Sequence, residues 1–151
     1  MRKPRREGLF IYGGAGTGKT FLASLIALEK LPCVIFGDVP LLLTNLKRTF
    51  DQVGVSTAQI LDRYKQTPLL VLDDFGAGKI TDWTVDILYQ IVNARYNNRL
   101  PTIVTSNNDL DDLQRRLSEQ DEFGGKRITS RFAEMCKAVF TGTTDRRNRR
   151  N

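Results

Sequence analysis

The sequence contains no histidine and only two cysteines, Cys33 and Cys136. The lack of histidine removes imidazole general bases, and the lack of a cysteine cluster removes zinc fingers; most transition-metal sites go with them. No apolar run approaches the roughly 20 residues of a membrane span. The N-terminus MRKPRREG is basic, but LFIY and then glycine follow it, with no apolar stretch and cleavage site, so no signal peptide is read. Both cysteines are therefore expected to be reduced, buried and apolar, in a cytoplasmic protein. There is no internal repeat, and low complexity is confined to the two ends.

What is present suits an ordinary globular chain. At 151 residues, 40% hydrophobic and 26% charged, it is expected to form one domain over 1–151, with basic tails at 1–7 and 146–151. The net charge of +6 is uneven. Eight of the 23 basic residues lie at 2–6 and 146–150, which leaves residues 7–145 with 15 basic against 17 acidic residues, a net of −2. The tails read either as solvated ends or as arms that touch nucleic-acid backbone.

The most informative stretch is LFIYGGAGTGKTF, residues 9–21. Leu9 to Tyr12 reads as a short buried strand. Gly13 to Thr20 fits G-x-x-x-x-G-K-[ST], and FLASLIALEK continues as a helix. Strand, glycine loop and helix in that order form a phosphate-binding loop. Its glycines let the backbone approach a ligand, and its N–H groups and the helix N-terminus favour phosphate oxygens. Gly13, Gly14, Ala15, Gly16, Thr17, Gly18, Lys19, Thr20 and Phe21 are the expected nucleotide-binding residues. Lys19 is expected to reach the β- and γ-phosphates, and the Thr20 hydroxyl to bind Mg²⁺.

The rest of the chain alternates strand and helix. CVIF at 33–36 is strand 2, Gly37, Asp38 and Pro40 make a turn, and 41–50 is a helix with Leu42, Leu46 and Phe50 on one face. Thr57 caps a short helix over 58–66 with Ile60, Leu61 and Tyr64 on one side. LLVL at 69–72 is strand 3, and Thr81 caps a helix over 82–98 with Trp83, Ile87, Ile91 and Ala94 inward. Strand 4 is 102–105, Asp109 caps a helix carrying Leu110, Leu113 and Leu117, and 118–125 forms a loop. A helix over 126–137 buries Ile128, Phe132 and Met135, and 138–141 is the last strand. This alternation argues for a parallel sheet with helices on both faces and ligands at the carboxyl ends of the strands.

Three polar signals sit at those ends or after them. LLVLDD places two acids after a buried strand, which is unfavourable unless something compensates, and Mg²⁺ on a triphosphate would. Asp73 is then the metal ligand, and Asp74 orients or deprotonates the attacking water. TIVTSNN ends a strand in Asn107, which reads either as turn chemistry or as a donor to the γ-phosphate or the lytic water. RITSRF offers Arg127 and Arg131, either of which could reach the nucleotide of a neighbouring subunit.

Together these stretches resemble an AAA+ ATPase, and more narrowly the DnaC/DnaI-type bacterial helicase loaders and the related IstB-type transposase helper ATPases. The carrying segments run from Gly8 to about Arg146: GLFIYGGAGTGKTFLA, VIFGDVPLLLTNLKRTF, the stretch 69–108, and RITSRFAEMC followed by G-x-x-D-R. The resemblance implies a P-loop three-layer α/β/α sandwich with a five-stranded parallel sheet in the order 5-1-4-3-2, without a C-terminal lid. It assigns Gly13–Thr20 to Walker A, Asp73-Asp74 to Walker B, Asn107 to sensor 1 and Arg131 to the arginine finger. It implies ATP and Mg²⁺ as cofactors, single-stranded DNA and a replicative helicase or a transposase as partners, and a ring or spiral homo-oligomer. It places DNA contact in the 50–60 segment and the helix after strand 2, with Lys47 and Arg48 as candidates beside the tails.

The chain departs from the pattern in three ways. The second Walker B acid is Asp74 where Glu is usual, one methylene shorter, so slow hydrolysis suited to a switch is expected. The N-terminal domain with which loaders grip the helicase has little room before strand 1. No helical lid follows, and Arg146 is a candidate substitute phosphate sensor. An ATPase switch that loads or remodels a helicase is the leading expectation; a transposase helper and a nucleotide-gated binding module with negligible hydrolysis are the alternatives.

Overall fold

The computed structural model describes residues 8–50, 52–54 and 56–147. The lead-in 1–7 and the residues beyond 147 lie outside the described residues. Five strands carry the fold: β1 (Gly8–Tyr12), β2 (Val34–Asp38), β3 (Leu69–Asp73), β4 (Thr102–Ser106) and β5 (Cys136–Phe140). Six helices connect them: α1 (Lys19–Leu28), α2 (Val39–Thr49), α3 (Thr57–Gln66), α4 (Asp82–Asn97), α5 (Leu110–Ser118) and α6 (Glu122–Met135). The sheet order is β2-β3-β4-β1-β5, the expected 5-1-4-3-2 read from the other edge, and every pairing is parallel. β3 and β4 are buried throughout, which is why they read as unbroken apolar or small-residue runs.

Successive strand residues face opposite sides. Phe10, Leu70, Leu72 and Val104 face a core built with α2 to α6, whereas Ile11, Leu69, Val71 and Ile103 face α1 through Ala23 and Ala27. These are the three layers. No helix among the described residues is long and apolar enough to cross a membrane.

The helix starts follow local chemistry. Thr81, Asp109 and Asp121 each accept a backbone N–H from the first turn of the helix they precede. Asp38 does the same for α2, whose first turn holds Pro40. Gly37 and Asp38 are thus not a turn: β2 runs through them, paired with Leu72 and Asp73, and α2 starts at once. The α3 cap is Ser56, because the Thr57 hydroxyl is engaged with Thr49 Oγ1 at 2.8 Å.

Three other expectations are corrected. The loop expected over 118–125 is mostly helix, since α6 starts at Glu122. Gly124 and Gly125 are buried within it because neighbours come too close for a Cβ: on Gly124 it would lie 2.6 Å from Val85 Cγ1, and on Gly125 2.8 Å from the Ser118 backbone nitrogen. Phe50 is 61% exposed instead of inward, because α2 ends at Thr49. Cys33 is exposed; Cys136 alone is buried, and burial pushes its thiol up to about 12.

Arg95 was invisible to the pattern. It is fully buried on α4, and its guanidinium donates to the carbonyls of Tyr64 (3.0 Å), Thr67 (2.8 Å) and Pro101 (2.7 Å) and to Thr102 Oγ1 (2.8 Å). Burial draws its pKa down to about 10. The carbonyls at the end of α3 and the entry to β4 replace water around the charge, so one side chain ties three elements together. Arg95→Leu leaves those acceptors unsatisfied and is predicted to destabilise the fold by about 3 kcal/mol or more. The urea midpoint measures this; an unchanged midpoint would show that the tie is dispensable.

Candidate functional site

The phosphate loop leaves β1 at Gly13, whose N–H donates to the Ser106 carbonyl at 3.3 Å. It ends at Gly18, with φ 93°, a left-handed conformation that favours glycine. Gly18 is the N-cap of α1 and provides no side-chain cap, so the first turn presents its N–H groups to the loop's mouth. A Cβ on Gly18 would meet nothing within 4 Å. The opposite holds for Gly14, where a Cβ would lie 3.2 Å from the Thr143 carbonyl, and for Gly16, where it would strike Asp145. A side chain at either glycine would crowd the chain's own C-terminal segment.

That segment runs along the outside of the loop. Gly14 N–H donates to Gly142 O at 2.9 Å, Arg146 N–H to Gly16 O at 2.9 Å, and the Thr17 and Thr141 hydroxyls share a hydrogen bond of 2.7 Å. Asp145 pairs with Arg147. Arg146 and Arg147, read from sequence as part of a solvated or DNA-touching tail, lie against the phosphate loop.

Lys19 is buried and folds back over the loop, its ammonium donating to Gly13 O at 3.0 Å and Gly14 O at 2.7 Å. Burial draws its pKa below the usual lysine range; the carboxylates of Asp74 and Asp73 oppose this, and Arg147 adds to it. Thr20, one residue on, donates to Asp73 at 2.9 Å. Asp73 also accepts from Thr105 Oγ1 at 2.6 Å and is 5% exposed. Its oxygens, with those of Asp38 and Asp74, lie within 4.8 Å of one another. An all-oxygen set of hydroxyl and carboxylates suits a hard cation such as Mg²⁺.

Asp74 turns out of β3 with φ 57°, and its N–H donates to Thr105 Oγ1 at 3.0 Å. Burial raises its carboxyl above the ordinary aspartate range, the charges of Asp73 and Asp38 raise it further, and Lys19 opposes them. Asn107, exposed at the end of β4, shares a small pocket with Asp74, Phe75, Gly76, Ala77, Asn108 and Arg116. The fold therefore gathers the phosphate loop, Asp73, Asp74 and Asn107 at one end of the sheet. Phe21 is 69% exposed on α1 and Ala15 is exposed in the loop.

Arg131 lies elsewhere, on the face of α6 that meets α4. Its Nε donates to Asn93 Oδ1 at 2.9 Å, one Nη donates to Arg127 O at 3.1 Å, and its guanidinium lies 5.2 Å from the Tyr89 ring centroid and 5.3 Å from that of Tyr96. Arg127 is exposed and lies 5.7 Å from the Tyr89 ring. Among the described residues, the polar and aromatic partners of both arginines are on α4 and α6.

Sequence reasoning missed Asp38. Parallel register places it directly beside Asp73, so a third carboxylate faces the pair. The signal was an acid ending strand 2, and only the adjacency of strands 2 and 3 gives it meaning.

A glycine loop closed by a buried lysine, facing an aspartate at the end of β3 in this strand order, defines a P-loop nucleotide-binding protein of the AAA+ class. The comparisons narrow the class. The family model for the IstB-like ATP binding protein matches residues 4–151, and the chain belongs to that family. It is 30% identical over 151 residues to the replicative helicase loader DnaI of Bacillus subtilis, covering 94% of this chain and 48% of that protein. It is 31% identical over 115 residues to the replicative helicase loader DnaC of Escherichia coli, covering 74% and 47%. The crystal structure of DnaI superposes with a TM-score of 0.77 at 29% identity, covering 93% of this chain and 76% of that one. The chain thus spans about half the length of these two sequence relatives.

Lys19→Ala is predicted to weaken ATP binding by about 100-fold, since charge-assisted contacts to phosphate contribute roughly 1.5–3 kcal/mol each. Asp73→Asn is predicted to retain binding in EDTA but to lose the gain that Mg²⁺ gives the wild type. Titration with a fluorescent ATP analogue, with circular dichroism as the check on folding, measures both.

Proposed function

We propose that this chain is the ATPase core of a nucleotide switch that assembles on single-stranded DNA in the cytoplasm and loads or remodels a replicative helicase. The observation that carries the reading is the convergence of Lys19, Thr20 and Asp73, with Asp74 and Asn107 beside them, in a chain similar to two helicase loaders. Backbone N–H groups of the loop and Lys19 bind the phosphates. Thr20 and Asp73 would hold Mg²⁺, which supplies charge neutralisation on the β- and γ-phosphates. Asp74, with its raised pKa, orients the attacking water and takes its proton. Asn107 contacts the γ-phosphate or that water. Arg131 acts from the neighbouring subunit of a ring or spiral, stabilising charge in the transition state. Asp74 in place of a longer acid keeps turnover slow, so bound ATP sustains the assembled state and hydrolysis releases it.

A surface patch supports the DNA part of this reading. Phe50, 61% exposed, meets Trp83 edge-on with centroids 5.9 Å apart; Lys47 Nζ lies 5.2 Å from the Trp83 ring centroid, and Arg48 is exposed next to it. Aromatic faces beside cations suit stacked bases and a phosphate backbone. α2, which ends at the patch, starts beside the nucleotide site, where Asp38 caps it.

A transposase helper is the second reading, favoured by the family match itself. Co-purification with a helicase or with a transposase separates the two.

Two outcomes are predicted. ATP turnover per chain rises with protein concentration and is lost in Arg131→Ala, and mixing that variant with Asp74→Asn restores part of it. Flat, near-zero turnover with tight ATP binding would instead favour a nucleotide-gated binding module. For DNA, Phe50→Ala and Trp83→Ala each weaken single-strand binding by about 1–3 kcal/mol. Lys47→Ala lowers the slope of log affinity against log salt by about 0.7. Fluorescence anisotropy over a salt series reads both, and unchanged slopes and affinities would move the DNA site off this patch.

A further inference from the structure

The turn that carries Asp74 is held from two sides. Asp74 and Gly76 both take positive φ, 57° and 85°, so the turn is not one that an unsupported aspartate favours. On the inner side, the end of β4 makes three bonds to it. Thr105 Oγ1 accepts the Asp74 N–H at 3.0 Å, the Thr105 carbonyl accepts the Phe75 N–H at 2.8 Å, and the Ser106 hydroxyl donates to the Phe75 carbonyl at 2.8 Å. Thr105, Ser106 and Phe75 are all buried. On the outer side is α5. Arg116 donates from Nη2 to the Gly76 carbonyl at 3.0 Å, and Leu113 fills the space a Cβ on Gly76 would need, with its Cδ1 2.7 Å from that position.

We propose that Arg116 is a positioning residue for Asp74, an inference that rests on the ATPase reading above. The three inner bonds belong to the core and are fixed with it. The bond from Arg116 is made by an exposed side chain, so it can be released and remade without opening the fold. The helix that carries Arg116 starts just after Asn107, with Asp109 as its cap. Asn107 at the phosphate end and Arg116 at the acid's turn are therefore joined by one short rigid element and line one pocket with Asp74. A shift of Asn107 toward phosphate moves α5, and α5 sets the outer wall of the turn through Arg116 and Leu113. Arg116 thereby fixes where the Asp74 carboxylate stands when the water is aligned, while nucleotide affinity remains with the phosphate loop on the other side of the site.

The test uses the full chain with Mg²⁺ and single-stranded DNA, comparing wild type, Arg116→Ala, Arg116→Lys and Arg115→Ala. Arg115 is exposed on the same helix and pairs with Asp112, so it serves as the control. Amide exchange over 74–78, the dissociation constant of a fluorescent ATP analogue, and kcat and KM are measured together. In Arg116→Ala, exchange of the turn is expected to speed up and kcat to fall ~10- to 100-fold, as for a misplaced catalytic group. The dissociation constant and KM are expected to stay within about twofold. Arg116→Lys, which keeps a donor for the Gly76 carbonyl, is expected to recover much of kcat, and Arg115→Ala to match wild type. Unchanged exchange, faster exchange with unchanged kcat, or a loss confined to KM and affinity would each overturn the proposal. Wild type without turnover removes the ATPase reading itself, and with it the catalytic role of Arg116; the exchange rates would still report whether the tie to Gly76 exists.

Discussion

The structure depends on the burial of one carboxylate. Asp73 sits at the end of a strand buried throughout, 5% exposed, and a buried charge is tolerated only where hydrogen bonds or a counter-ion replace water. Its partners come from two other parts of the chain, the start of α1 and β4. Thr20 donates from the start of α1, Thr105 from β4, and the Lys19 ammonium is near enough to feel its charge. Satisfying Asp73 therefore fixes the spacing between the phosphate loop, β3 and β4. That spacing also provides the place for a hard cation and the phosphates it would accompany. Asp38 and Asp74 beside it raise the density of negative charge, which favours a divalent cation over an empty site.

The two halves of the site are bounded by different parts of the chain. The phosphate loop is enclosed on its outer side by the C-terminal segment from Thr141 to Arg147, through the Gly14–Gly142 and Arg146–Gly16 hydrogen bonds. The acid's turn is built into the end of β4 and trimmed from outside by α5. α2, capped by Asp38, ends at the exposed Phe50, which meets the half-buried Trp83 at the start of α4. The candidate binding residues are thus concentrated at one end of the sheet. Arg131 is held against α4 by Asn93 and two tyrosines.

Much of this was legible in the residues, and the failures have physical causes. The phosphate loop and the acids after strand 3 could be read because each is a contiguous motif between elements of clear period. The order of the sheet came from the family resemblance, and the pairing bears it out. Gly124 and Gly125 were read as a loop because glycine usually ends helices; here it admits close approach of Ser118 and Val85. Arg95 drew no reading because arginine is seldom buried, and nothing local announces that the carbonyls of Tyr64 and Thr67, about 30 residues away, will surround it. Asp38 was read as a turn residue because its meaning comes from the strand beside it.

The sequence by itself determined that this chain holds a phosphate loop, since the strand, the glycines, Lys19 and Thr20 are neighbours along the chain. It determined the alternation of strands and helices, because burial on two faces imposes a period that can be counted. The tertiary structure decided which carboxylates share a site, which glycines are needed for packing, and that the C-terminal segment borders the loop. The reason is common to all three. Buried charges and close contacts are settled by partners that meet only after the strands have paired, and those partners lie tens of residues apart.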